Sequence, residues 1–112
     1  MISLKQICNE LAAEIHVEGD LAREVSKAVV GDLLSFVMGS DAEGAAWVTI
    51  QSHLNVAAVA VLKDMPVIII AAGRAPAEDL KVRCGIENIT LITARDSIFD
   101  VCIKLGAMGM KG

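Results

Sequence analysis

The chain has 112 residues, a length that supplies one hydrophobic core but not two. Hydrophobic residues make up 54% and aromatic ones only 3%, so the core is built from Val, Ile, Leu, Ala and Met, as in parallel sheets buried on both faces. Ten basic and fourteen acidic residues give a net charge of −4 with the basic side chains scattered, which excludes a nucleic-acid footprint, and the apolar run Val56 to Leu62 falls far short of the roughly 20 residues a bilayer span needs.

The start, with Lys5, Asn9 and Glu10, does not read as a signal peptide, and Cys8, Cys84 and Cys102 form no CxxC pair. A cytoplasmic protein with unpaired thiols is expected. Cys8 and Cys102 fall in the apolar series of helical segments and read as small core residues.

Leu4, Ile7, Cys8 and Leu11 have helical period, and Ser3 and Gln6 have capping-box spacing, predicting a helix from Ser3 to Ala12. Glu14 to Val17 alternates like a short strand, and Glu18-Gly19-Asp20 turns the chain. A second strand is predicted over Val25–Val30 and a short helix from Asp32 that Gly39 closes. Strand three is Ala46–Ile50, and Asn55 is the expected cap of a helix running to Lys63.

Val67–Ile70 is a continuous apolar run typical of a central strand, broken after Gly73 by Ala75 and Pro76. A helix over Glu78–Cys84 started by Pro76, a strand over Ile89–Thr93 and a helix from Asp96 to Ala107 complete the pattern, with residues 106–112 expected to fray. Alternating strands and helices predict an α/β fold: one domain spanning 1–112, three α/β/α layers, and a mostly parallel sheet of about five strands. The helix after Asn55 has no polar face, so it needs cover on every side, and a homodimer contact through it is expected.

Ligands of open α/β sheets bind beyond the carboxyl ends of the strands. That rule selects Asp32, Thr49, Gln51, His53 and Asn55, Gly73 and Arg74 as candidate ligand-binding residues, with Arg95 and Asp96 also at strand ends. Amide, hydroxyl and imidazole groups gather there before a helix N-terminus, which favours an anion, and Arg74 adds a fork of donors suited to phosphate or carboxylate. The competing reading is that Gln51, His53 and Asn55 only satisfy loop backbone groups. His16 and His53 lie on different loops, so no metal site is assigned. With no P-loop, no GxSxG elbow and no second group beside His53, neither a catalytic residue nor a cofactor is assigned.

Four segments in order carry a family likeness: Leu21-Ala22-Arg23-Glu24-Val25, Gly31-Asp32-Leu33-Leu34-Ser35, Thr49 to Ala60, and Ile68 to Pro76. On these the chain resembles a stand-alone DRTGG domain over nearly its whole length. Ala22 stands where the family's Asp is usual, and Ala71-Ala72-Gly73 where Thr-Gly-Gly is usual. The resemblance implies a fold similar to the N-terminal domain of HPr kinase/phosphorylase without its catalytic domain, an accessory module also found in some phosphotransacetylases and CBS-regulated pyrophosphatases. The expected function is therefore a non-catalytic regulatory domain that binds a small anionic metabolite or nucleotide as a homodimer. The alternative is a ligand-free adaptor for a separately encoded partner enzyme.

Overall fold

Four apolar runs of the sequence line up side by side as the parallel body of one sheet. The computed structural model describes residues 1–112, in the order β1 (Ile2–Ser3), α1 (Leu4–Leu11), β2 (Glu14–Val17), β3 (Glu24–Val25), β4 (Ala28–Val30) and α2 (Leu34–Met38). There follow β5 (Ala46–Thr49), α3 (Asn55–Leu62), β6 (Val67–Ile70), α4 (Glu78–Glu87), β7 (Thr90–Thr93) and α5 (Ile98–Ala107). The main sheet has the order β2-β7-β6-β5-β4; β4 to β7 are parallel, and β2 joins β7 antiparallel at the edge.

Alternation along the strands sends side chains into two cores. Val67 and Ile69 meet α1 and α5 on one face, whereas Ile68 and Ile70 meet α3 and α4 on the other. Both faces are thus covered, which explains why the central strand β6 is apolar at every position. Trp47 is fully buried in the second core, and its indole N–H donates to the Gly31 carbonyl at 3.0 Å. Three α/β/α layers around a mostly parallel sheet of five strands is the predicted fold class.

The thiols of Cys8 and Cys84 are buried, and burial pushes both up, that of Cys84 to about 11. Both are neutral packing groups at physiological pH. Cys102 is only partly covered, at the edge of the first core.

Several elements differ from expectation. Residues 25–30 are not one strand: Glu24–Val25 pairs antiparallel with Ile2–Ser3 in a separate two-stranded sheet, and only Ala28–Val30 enters the main sheet. The helix expected from Asp32 begins at Leu34, and Gly39 ends it at φ −86, which requires no glycine. Asn55 is not the cap of α3, because Leu54 already has helical angles and Asn55 lies within the first turn. Pro76 precedes the N-cap Ala77, and α4 continues through Gly85 to Glu87, where Asn88 at φ 56 stops it. Ser97, not Asp96, caps α5, its hydroxyl accepting from the Asp100 amide.

Residues 106–112 are tied down rather than frayed. Gly106 and Ala107 finish α5, Met110 is buried, and Lys111 pairs beside β4, accepting from the Ala28 amide at 2.8 Å and donating to Ser26. The tail thus covers the first rung of an edge strand.

Candidate functional site

Because β4 to β7 are parallel, the loops before α2, α3, α4 and α5 all gather at one end of the sheet. The seven candidate residues lie on or directly beside three of those loops, and the structure divides them into three groups.

Asp32, Thr49 and Gln51 form a knot. One carboxylate oxygen of Asp32 accepts from the Thr49 hydroxyl and from the Ile50 amide, each at 2.9 Å. The Gln51 amide donates to the Thr49 hydroxyl at 3.1 Å, and the Gln51 side chain donates to the Asp32 carbonyl at 3.0 Å. These bonds join the β4–α2 loop to the β5–α3 loop. The Gln51 side chain thus satisfies a loop backbone group.

His53 and Asn55 belong to a different group. Both are exposed, and with Leu54, Ala58, Ala77, Asp79 and Arg83 they line an open groove of about 610 Å³ between the first turns of α3 and α4. The two loops that hold this groove are joined by the Ala77 amide, which donates to the Ser52 carbonyl at 2.9 Å. No acidic residue occupies the first turn of α3, whereas Glu78 and Asp79 stand in that of α4. The partial positive charge at the head of α3 is therefore left uncompensated within its own helix.

Gly73 and Arg74 form the third group, in the β6–α4 turn. Ala72 and Gly73 are successive left-handed residues, at φ 59 and φ 66. That geometry aims both amides at the neighbouring loop: Ala72 donates to Asp96 at 2.7 Å and Gly73 to Ala94 at 2.9 Å. The turn is thereby fixed, and the Arg74 side chain is left exposed without an ion-pair partner. Arg95 at the next strand end is exposed and unpaired as well. Asp96, by contrast, is neutralised by Lys104 at 2.8 Å. The carboxyl-end rim thus carries two free guanidinium groups while Asp32 and Asp96 are engaged.

Two groove residues, Asp79 and Arg83, were missed in the sequence. Both lie on α4, one turn apart, and border the groove opposite residues of α3, a juxtaposition that depends on how the helices pack. His16 is engaged elsewhere, with Nε2 2.9 Å from the Thr93 hydroxyl. A second cavity, of about 320 Å³, opens at the opposite, amino end of the strands between Arg23, Asp64 and Asn88. Its charges are largely matched within the chain, Arg23 to Asp64 at 3.6 Å and Glu87 to Arg83 at 3.3 Å.

No family model and no curated protein matches the chain. Among solved structures it is similar to the CBS and DRTGG domains of the regulatory region of Clostridium perfringens pyrophosphatase, a structure complexed with an activator, diadenosine tetraphosphate. The TM-score is 0.76 at 21% identity, over 92% of this chain and 45% of the other. The likeness is one of fold, and this chain spans less than half of the protein it matches. No helix of the chain is long and apolar enough to cross a membrane.

Proposed function

We propose that the chain is a non-catalytic regulatory domain of DRTGG type that binds a small anionic metabolite or nucleotide at the carboxyl ends of its strands and works as a homodimer. The observation that carries this reading is the rim itself: Arg74 and Arg95 are exposed and unpaired at the strand ends, and at the same end His53, Asn55, Asp79 and Arg83 line a groove between α3 and α4. Guanidinium forks suit phosphate and carboxylate groups. The open head of α3 favours the same sign of charge.

A regulatory role is supported by the pyrophosphatase region of similar fold, which is complexed with a nucleotide activator. A ligand-free adaptor is the second reading. It is favoured by one observation, the large apolar side chains exposed on α3 and α4.

Thermal unfolding of the purified protein against a panel of nucleotides, phosphorylated metabolites and organic acids tests the first reading. A compound that binds only the folded state raises the midpoint. The expected result is a shift with one chemical class that is reduced in Arg74→Ala and in Arg83→Ala, both exposed positions. No shift with any compound would favour the adaptor.

A further inference from the structure

Helix α3 has no polar side to turn to solvent, so packing one face on the sheet leaves another apolar face outside. Ala58, Val61 and Leu62 are exposed there, Leu62 by 66%. On the adjoining helix α4, Val82 and Ile86 stand one turn apart, 62% and 73% exposed. In the opposite layer α1 shows solvent Lys5, Gln6, Asn9 and Glu10, whereas α5 exposes Phe99 and Ile103. Apolar exposure on adjoining helices marks an interaction surface, and on the α3–α4 side it is accompanied by complementary charges.

The charges on that surface say what fits it. Asp79 and Arg83 share the stripe with Val82 and Ile86. Asp79 has no ion-pair partner in the chain, and Arg83 is half exposed with only Glu87 of its own helix at 3.3 Å. A two-fold axis crossing α4 between them brings each carboxylate to the other copy's guanidinium. One surface then satisfies both charges, as an isologous contact requires.

We infer that this face takes a second copy of the chain, α4 against α4 in antiparallel sense, with Asp79 of each copy facing Arg83 of the other. Val82 lies in the seam. The same pairing carries Ile86 of the second copy past Asp79 towards Ala77 and Ala58, the small residues lining the groove. The groove is then walled by both copies, so ligand binding and dimer strength are linked. This last point rests on the ligand reading above; the contact itself does not.

Sedimentation velocity on the full chain, without ligand, tests the contact. The wild type is expected to be a dimer at micromolar concentration. Ile86→Glu and Asp79→Arg are expected to be monomers with unchanged circular dichroism, since both positions face solvent in the single chain. The double variant Asp79→Arg/Arg83→Asp exchanges the charges and is expected to restore the dimer. A monomeric wild type, a dimer indifferent to Ile86→Glu and Asp79→Arg, or failure of the charge exchange would overturn the arrangement. A dimer that obeys the charge exchange while no compound shifts unfolding would support it and sink only the ligand reading.

Discussion

Asp32 uses a single carboxylate oxygen to hold two donors from the next loop, and that economy makes it the residue on which the strand-end architecture depends. Hydrogen bonds to a charged group contribute roughly 1.5–3 kcal/mol, so Asp32→Ala is expected to lower unfolding free energy by about that amount, measured by denaturant titration. A change within a few tenths would mean that the knot is dispensable. The turn at Ala72-Gly73 makes an opposite pair of predictions. Left-handed angles cost an L residue about 1–2 kcal/mol, so Gly73→Ala is expected to destabilise by that order. Ala72→Gly removes the same strain at φ 59 and is expected to be neutral or stabilising by the same titration. Sequence position marked Asp32, Thr49 and Gln51 as strand-end residues correctly, yet it could not say that they face one another. Two chain segments had to be brought together before that bonding existed.

Elements were legible where burial dictated every residue. Val67–Ile70 and Thr90–Thr93 are apolar or Thr throughout because both faces of the central strands are covered. The capping box of α1 was legible too, its two reciprocal bonds being local in sequence. Strand β1 is two residues long and owes its existence to Glu24–Val25, which no local pattern announces. The run from Val25 to Val30 hid a change of partner, since its members join different sheets. The C-terminal tail was misread for the same reason: its glycines suggest fraying, but Met110 finds a place in the core and Lys111 finds the open edge of β4. Removing residues 108–112 is therefore expected to cost several kcal/mol. Loss of a buried methionine side chain alone costs about 2–5 kcal/mol. Thermal or denaturant unfolding of the truncated chain reads this directly, and an unchanged midpoint would show that the tail contributes nothing.

At the scale of the whole molecule, the layers divide the work. The sheet and the α1–α5 layer enclose the first core, with α1 polar towards solvent and Phe99 and Ile103 of α5 exposed. The α3–α4 layer carries both the groove and the apolar face, so anything that packs on that face stands beside the candidate residues of the groove. The apolar character of α3 was readable from its composition, whereas the placing of Asp79 and Arg83 beside it on α4 was not, because helical spacing alone does not say which face of α4 stays outside. The central claim is that an anionic ligand sits at the carboxyl ends of the strands. Backbone amide chemical shifts, followed while the compound with the largest thermal shift is titrated in, test it most directly. The account predicts changes concentrated at residues 52–58, 73–83 and 95, weakened in Arg74→Ala; changes centred instead on Arg23, Asp64 and Asn88 at the amino end would contradict it.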